Sequence, residues 1–354
     1  MKIRLTTGIL FFCNLLLTGC GPRLVPATPG LPAEPTSLPI PAGLTQEQFT
    51  TLISLQKVDE YPLYTMTYVG AYHPHAGALP HANPIAATAS PPVWACSLFT
   101  VLLNEENLLY GRNFDWQFSP ALLLFTDPPE GYASVSMVDI AYLGFDGTTA
   151  KNIAGLPIDE KTGLLDAPYL PFDGMNEHGL AIGMAAVPPG DVQPDANKET
   201  VGSLGIIREM LDHARNVDEA VDIMQSYNIA FDGGPPVHYL MADTTGKAAL
   251  VEYFNGEMHV LDNEHPWHLA TNFLRSSVDA PADGNCWRYN KINAQLTETN
   301  GRIDVQAAMH LLADVAQDNT QWSIVYQMSS GVINVAMGQQ YRDVHQFQLD
   351  LVNP

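Results

Sequence analysis

Short runs of β-branched and aromatic residues recur along most of this chain, and they constrain its fold more than any other feature. Examples are SVSMVDIAYL, VHYLMAD and AALVEYF, with turns such as TTGK between neighbouring runs. Runs of this length separated by Gly-containing turns are typical of antiparallel hairpins. The strands predicted in this way cover residues 97–103, 134–143, 180–187, 237–243, 248–254, 267–273, 322–328 and 331–337.

Helical patterns fall in blocks between these strands, at residues 203–215, 216–227 and 304–317. Asn216 is followed three residues later by Glu219, a spacing that predicts a helix N-cap with a capping box. Runs of strands interleaved with helices, without strict βαβα alternation, predict an α+β fold with layered sheets and helices outside them.

The N-terminus carries the marks of an export signal. Lys2 and Arg4 precede the apolar run GILFFCNLLL, which is shorter than a typical membrane-spanning helix. The run ends in LTGC at Cys20, and this resembles a bacterial lipoprotein signal, in which the cysteine is lipidated and becomes the new N-terminus. We therefore expect a signal peptide over 1–19 and an extracytoplasmic protein anchored to the membrane through Cys20; an ordinary secretory signal cut nearby is the alternative.

A proline-rich segment follows, with seven prolines within residues 21–43. This composition favours extended polyproline conformers over a packed core. We predict a semi-rigid tether over residues 20–45.

The charge of the chain is strongly acidic, with 16 Lys and Arg against 38 Asp and Glu and a net charge of −22. Such a surface repels phosphate backbones, so the sequence argues against nucleic acid as a partner. It also offers no polybasic patch for anionic lipid.

Four cysteines limit the redox and metal chemistry of the chain. Cys13 would leave with the signal and Cys20 would be lipidated, which leaves Cys96 and Cys286 in the folded part. One disulfide between them is possible, but no CxxC pair indicates a structural zinc site. Three histidines within 73–81 lie in a Gly/Pro-rich loop, where solvated side chains are expected rather than metal ligands. We expect no cofactor and no metal.

The run CSLFTVLLNEENLLYGRNFD carries the candidate chemistry. If 97–103 and 107–112 form a hairpin, the returning strand brings Arg112 and Asp115 close to the Cys96 thiol. A nucleophilic thiolate needs a base and a positive field, and Arg112 would supply the field. The alternative is a cysteine buried as a small hydrophobe beside a structural ion pair.

The pattern of a cysteine, fifteen residues and Arg-Asn-Phe-Asp resembles the N-terminal-nucleophile amidases of the choloylglycine hydrolase, penicillin V acylase and acid ceramidase group. The isopenicillin-N acyltransferase and carcinine hydrolase branch is similar. GMNEHGLAIG (174–183), LATNF (269–273) and NCWRYNKI (285–292) resemble later family segments in the same order, and the likeness runs from about Tyr61 to Leu351. The resemblance implies a four-layer αββα sandwich, with two mainly antiparallel sheets between helical layers.

The resemblance also implies roles for the residues of the hairpin. Self-cleavage of the Ala95–Cys96 bond would make Cys96 the N-terminal residue of the catalytic chain. Its α-amine, with an ordinary pKa of about 7.7–8.0, would act as the base for its own thiol. Arg112 would favour the thiolate, and Asp115 would orient the amine.

Three further residues are implied by the resemblance. Asn176 maps onto an oxyanion-hole position, Asn272 onto the second active-site asparagine, and Arg288 onto an arginine that tunes charge near the thiol or holds a polar end of the substrate. The structural alternatives are turn chemistry for Asn176, a loop cap for Asn272 and a surface position at a helix start for Arg288.

We therefore expect a pro-segment over 46–95 and a catalytic domain over 96–354. Cleavage would separate the lipid anchor from the catalytic chain, so the apolar and aromatic segment 60–72 is expected to stay docked. Residues 119–133 and 186–200 are expected to be loops that shape the pocket. The leucines of 121–125 would be either an apolar wall for an acyl group or core.

The expected reaction is hydrolysis of a linear, non-peptide amide bond of a small N-acyl compound through a thioester. An N-acyltransferase and a non-enzymatic tethered lipoprotein on the same fold are the alternatives. The identity of the amide and any oligomeric state stay open.

Overall fold

Two β-sheets stacked face to face form the centre of the fold. The computed structural model describes residues 40–72, 96–190, 193–231, 234–278 and 285–352. The signal peptide, Cys20, most of the tether, the three histidines of 73–81 and Ala95 lie outside the described residues.

The strands of the described ranges are β1 Gln56–Asp59, β2 Leu63–Thr67, β3 Ser97–Val101, β4 Leu109–Asp115, β5 Ala121–Thr126, β6 Ser134–Asp139, β7 Asp173–Asn176, β8 Ala181–Ala186, β9 Glu199–Gly202, β10 Tyr227–Ala230, β11 Val237–Ala242, β12 Ala248–Phe254, β13 Glu257–Asp262, β14 Trp267–Ala270, β15 Thr320–Gln327, β16 Val332–Met337 and β17 His345–Gln348. The α-helices are α1 Gln46–Ile53, α2 Gly205–His213, α3 Val217–Ser226, α4 Trp287–Thr299 and α5 Val305–Asp314.

The larger sheet has nine strands in the order β1-β2-β5-β6-β7-β8-β11-β12-β13, and the smaller has six in the order β14-β3-β4-β15-β16-β17. Their pairings are antiparallel except that of β2 with β5, which is parallel. Short strands β9 and β10 form a separate parallel pair. The predicted hairpin is confirmed: β3 and β4 pair with Ser97 opposite Asn113 and Leu98 opposite Arg112.

Side-chain alternation along β4 separates two packing layers. Tyr110 and Phe114 face the larger sheet, where the Tyr110 hydroxyl donates to the Leu240 carbonyl at 2.9 Å. Asn113 points the other way and donates to the Leu312 carbonyl of α5 at 2.8 Å. Helices α4 and α5 therefore cover the outer face of the smaller sheet.

Helices α2 and α3 lie over the outer face of the larger sheet, where their apolar residues join the core of that sheet. The Asn216 side chain caps α3 by accepting from the Glu219 N–H at 3.0 Å, as predicted. In a capping box the Glu219 carboxylate would accept from the Asn216 N–H. Here it accepts from the N–H of Arg215 at 2.8 Å instead. The order helix, sheet, sheet, helix confirms the predicted α+β sandwich.

Residues that precede Cys96 belong to the larger sheet. Strand β2 lies between β1 and β5. Its Leu63 and Tyr64 are fully buried, and the Tyr64 hydroxyl donates to the Ala150 carbonyl at 2.8 Å while accepting from the Ile153 N–H at 3.1 Å. The segment before Cys96 thus supplies a strand that is covered on both faces.

Two sequence predictions differ from the structure in this sheet. The strand expected over 134–143 ends at Asp139, because the Asp139 carboxylate accepts from the Ala141 N–H at 3.0 Å and caps a 3₁₀ turn. The leucines of 121–125 form the interior strand β5 rather than part of a loop. Both faces of β5 are buried, so the leucines are core.

Leu63→Ala is expected to lower the free energy of unfolding by about 2–5 kcal/mol, because it leaves a cavity at a fully buried position of β2. Leu103→Ala removes the same atoms from a side chain that is 39% exposed, and we expect a change within about 0.5 kcal/mol. Equilibrium unfolding in guanidinium chloride, with Cys96→Ala as the common background, measures both. Equal effects of the two substitutions would show that β2 is not part of the cooperative core.

Candidate active site

Cys96 lies immediately before β3, at the end of the smaller sheet, with only 5% of its surface exposed. The hairpin register puts it level with the last residues of β4, where both Arg112 and Asp115 act on the thiol. Burial raises the pKa of the Cys96 thiol, the Arg112 charge opposes this, and the Asp115 carboxylate adds to it. The thiol is therefore held between a cation and an anion.

Arg112 is fully buried and has a specific counter-ion, Asp173 of β7. The Arg112 Nη1 lies 2.5 Å from the Asp173 Oδ2 and also donates to the Phe172 carbonyl. Asp173 accepts further hydrogen bonds from the Tyr326 hydroxyl at 2.6 Å and the Trp322 indole N–H at 3.3 Å. This ion pair joins the two sheets across their interface.

One side of the Arg112 guanidinium is left for the thiol. Within the described residues, its Nε and Nη2 have no oxygen or nitrogen partner. The guanidinium charge opposes the burial that raises the pKa of the Cys96 thiol. Burial lowers the pKa of Arg112 itself, but the Asp173 charge and, to a smaller extent, the thiol raise it above its ordinary value. The ion pair with Asp173 thus fixes Arg112 in an orientation that presents N–H groups to the sulfur.

Asp115, the last residue of β4, is fully buried with only one of its carboxylate oxygens engaged. Its Oδ1 accepts from the Thr320 hydroxyl, whereas its Oδ2 has no hydrogen-bond partner in the described part of the chain. Burial raises the pKa of Asp115 to about 7, against the Thr320 hydrogen bond and the charges of Arg288 and Arg112. Burial and, to a smaller extent, the Asp115 charge raise the pKa of the nearby Tyr341. A buried oxygen without a donor is ready to accept a new one.

Arg288 and Asn272 meet beside Cys96. Arg288 is in the first turn of α4 and is 6% exposed. Its Nη1 donates to the Cys96 carbonyl and, at 3.0 Å, to the Ser97 hydroxyl, and its Nη2 donates to the Asn272 Oδ1 at 3.0 Å. Asn272 donates one N–H to the Ala186 carbonyl at the end of β8, at 2.7 Å. Arg288 therefore fixes both the start of β3 and the orientation of the Asn272 amide.

Asn176 does not join this group, and the oxyanion role predicted for it does not fit the structure. Residues 173 and 176 of β7 point to opposite faces of the larger sheet, so Asn176 faces α2 while Asp173 faces Arg112. The Asn176 amide donates to the Leu211 and Ala214 carbonyls at 3.1 and 2.7 Å. Its Oδ1 accepts from the N–H groups of 178 and 180. Both N–H bonds are used at the C-terminus of a helix, and none is left for substrate.

Sequence reasoning missed two residues that support the site, Asp173 and Thr320. A signal for Asp173 was present: it is a carboxylate within the apolar stretch YLPFDGMN, and a buried arginine requires a buried counter-ion. Thr320 carried no signal, because its contact with Asp115 depends on the register of β15 against β4.

Cys286 and Cys96 are both free thiols. Cys286 is half-buried at the N-cap of α4, and its pKa is lowered. Burial raises this pKa, but hydrogen bonds from the N–H of Tyr289 and from Thr271 outweigh that effect. Across the described ranges, no group of three or more His, Cys, Asp or Glu side chains is arranged to hold a metal ion.

Comparison with known proteins connects this geometry to a family. The model of the "Linear amide C-N hydrolases, choloylglycine hydrolase family" matches residues 96–273, half of the chain, and the match begins at Cys96. It includes Arg112, Asp115 and Asn272 and ends before Arg288.

Solved structures and a curated protein are also similar to this chain. A variant of the conjugated bile acid hydrolase from Clostridium perfringens has a TM-score of 0.51 at 14% identity, over 72% of this chain and 92% of that one, and therefore shares the fold. Penicillin V acylase from Agrobacterium tumefaciens gives a TM-score of 0.45 at 14% identity, over 72% and 87%. An uncharacterized protein of Paramecium bursaria Chlorella virus 1 is 32% identical over 110 residues, 28% of this chain; the match spans 39% of that relative's length.

Asp173→Asn is expected to lower the free energy of unfolding by about 3–5 kcal/mol, because it leaves the buried Arg112 charge without its anion. Asp218→Asn is the matched control: Asp218 lies 2.5 Å from Lys247, but its side chain is 75% exposed, so we expect about 1 kcal/mol or less. Guanidinium chloride unfolding in the Cys96→Ala background measures both. A small effect at Asp173 would mean that Arg112 finds other anions or water.

Proposed function

Because the chain belongs to the linear amide C–N hydrolases of the choloylglycine hydrolase family, we propose that it hydrolyses the amide bond of a small N-acyl compound with Cys96 as nucleophile. The observation that carries this proposal is the arrangement at the thiol. Cys96 begins the smaller sheet between the N–H groups of Arg112 and the Asp115 carboxylate, and the family match begins at the same residue.

Cys96 acts from the N-terminus of the catalytic chain after the bond to Ala95 is cut. The new α-amine is an ammonium or a neutral amine near pH 7, since its ordinary pKa is about 7.7–8.0. The free Asp115 Oδ2 is the buried acceptor available to it. When the amine is protonated, this contact adds a cation to the charges of Arg288 and Arg112, so Asp115 ionises more readily. When the amine is neutral, the same contact orients it as base for the thiol.

Catalysis then proceeds through a thioester. The thiol gives its proton to the α-amine, and the sulfur attacks the amide carbonyl carbon to form a tetrahedral oxyanion. The ammonium returns the proton to the leaving amine as the C–N bond breaks. Water, deprotonated by the same amine, attacks the thioester and releases the acid and the thiol.

Asn272 stabilises the oxyanion in this proposal. Its Oδ1 is held by Arg288 and one N–H by the Ala186 carbonyl, so the plane of the amide is fixed before substrate binds. The second Asn272 N–H is the donor available to the oxyanion, and a preorganised donor acts most strongly where charge develops. Arg288 serves as a positioning residue for the Cys96 carbonyl and for Asn272.

The pro-segment stays bound after cleavage in this proposal. Within it, α1, β1 and β2 pack into the fold, and Leu52, Leu63 and Tyr64 are fully buried. Tyr72, the last residue of the segment that the structure describes, donates its hydroxyl to Asp212 of α2 at 2.9 Å. Loss of the segment would expose the edge of β5 and these apolar side chains to water.

Docking of the pro-segment would keep the catalytic chain with the lipid anchor proposed at Cys20. The sequence pattern at residues 1–20 supports export and lipidation, and the whole pattern lies outside the described residues. Among the residues that are described, no helix is long and apolar enough to cross a membrane.

Intact mass spectrometry of the purified protein tests self-cleavage. We expect wild type to give two chains that meet at the 95/96 bond, and Cys96→Ala to stay whole because the attacking sulfur is gone. Cys286→Ala is the matched control and should cleave as wild type does. An unbroken wild type, or a Cys96→Ala protein cut at the same bond, would contradict the proposal.

A pair of asparagine variants tests the oxyanion donor. Asn272→Ala should lower kcat about 10²–10³-fold on whichever amides of an N-acyl panel wild type hydrolyses, because one oxyanion donor is lost. Asn176→Ala should instead lower the unfolding midpoint, since two carbonyls at the end of α2 lose their donor. If the folded Asn176→Ala protein loses as much kcat as Asn272→Ala, the oxyanion assignment is wrong.

A further inference from the structure

Strand β15 carries an irregularity beside the candidate site. Thr320 pairs with Asp115 and Trp322 pairs with Phe114, so Gln321 is an extra residue with no partner in the register. In a regular strand Thr320 and Trp322 would face the same side. The bulge lets Trp322 face the larger sheet and donate to Asp173 while Thr320 donates to Asp115.

The Gln321 side chain is 4% exposed and holds together the two chain segments that flank this bulge. Its Nε2 donates to the Trp116 carbonyl at 3.0 Å and to the Asn319 carbonyl at 2.8 Å. Its Oε1 accepts from the Ser119 N–H at 2.9 Å. Trp116 directly follows Asp115, and Asn319 directly precedes Thr320, so one amide ties down both neighbours of the carboxylate contact.

The remaining hydrogen-bond partner of the Gln321 side chain comes from the pro-segment. The Tyr61 hydroxyl donates to the same Oε1 at 2.9 Å. The Tyr61 ring packs against Gly338, where an added Cβ would lie 2.5 Å from the ring. The ring also makes an edge contact with Phe118, with the two ring centroids 6.1 Å apart. The backbone at Tyr61 is fixed as well, since its N–H donates to Asp59 at 2.9 Å and Asp59 pairs with His345 at 2.7 Å.

We propose that Tyr61 is a positioning residue of the active site: through Gln321 it holds the bulge that sets Thr320 against Asp115. This inference rests on the proposed function, because cleavage before Cys96 puts Tyr61 and Asp115 on different chains. The mature protein is then a two-chain enzyme in which the small chain completes the geometry around the catalytic carboxylate. The apolar surface that β2 covers explains why the small chain binds, and Tyr61 explains why the site needs it.

The test compares Tyr61→Phe with Tyr64→Phe. Both substitutions remove one hydroxyl from the pro-segment, and Tyr64 bonds to Ala150 and Ile153 rather than to Gln321. We expect hydrogen exchange at the Trp116 and Ser119 N–H groups to quicken about fivefold in Tyr61→Phe, the factor produced by loss of one typical hydrogen bond. Tyr64→Phe should lower the unfolding midpoint and leave these amides protected.

A second readout follows the thiol itself. The Asp115 charge raises the pKa of Cys96, so a displaced Asp115 should shift the midpoint of Cys96 alkylation by iodoacetamide to lower pH in Tyr61→Phe. Peptide mass spectrometry separates Cys96 from Cys286. In a Gln321→Met background, where the amide is already lost, Tyr61→Phe should add no further shift.

Neither readout requires cleavage, and intact mass of the same samples reports whether the chain is cut. An uncut wild type that shows the Tyr61 effects would refute self-cleavage while the positioning role stands. Equal exchange and equal alkylation midpoints in Tyr61→Phe and Tyr64→Phe would overturn the inference. The same holds if Tyr61→Phe shifts the midpoint further in the Gln321→Met background.

Discussion

The ion pair between Arg112 and Asp173 is the interaction on which the rest of the site depends. Both side chains are fully buried between the two sheets, where an isolated charge is costly and a pair needs good geometry and further hydrogen bonds. Asp173 has them from Tyr326 and Trp322. The pair therefore fixes the spacing and register of β7 against β4. It also determines which N–H groups of Arg112 remain for the thiol.

The thiol lies in a field of opposed charges. Arg112 favours the thiolate, whereas burial and the Asp115 carboxylate oppose it, and the pKa of Cys96 in the uncut chain is raised. A second cation in the site would increase the thiolate fraction beyond what Arg112 alone supports. An α-ammonium facing the free oxygen of Asp115 would be that cation, so the uncut chain already contains the acceptor that the proposed mature N-terminus requires.

The hairpin and the neighbours of Cys96 could be predicted from the sequence, because two strands joined by a short turn have a nearly fixed register. It did not allow the role of Asn176 to be predicted, because a motif gives the position of a residue but not the sheet face that its side chain occupies. Asn272 and Arg288 are hydrogen-bonded to each other beside Cys96, and the roles that the resemblance implies for them stay predictions. The bulge at Gln321 and the contact of Thr320 depend on pairing between segments about 200 residues apart, which no local pattern encodes. The leucines of β5 were predicted to lie in a loop. The strand β2 that pairs with β5 lies before Cys96, and no local pattern indicated this pairing.

The parallel pairing of β2 with β5 has a consequence for how the protein folds and refolds. A parallel contact requires a long crossover, and here the chain reaches β5 from β2 only after passing through both strands of the β3–β4 hairpin in the other sheet. In an intact precursor this closure is intramolecular. After a cut before Cys96, the same contact would form only when two separate molecules collide. Refolding of the cut protein would then depend on protein concentration. Its kinetic stability would be set by the rate of unfolding.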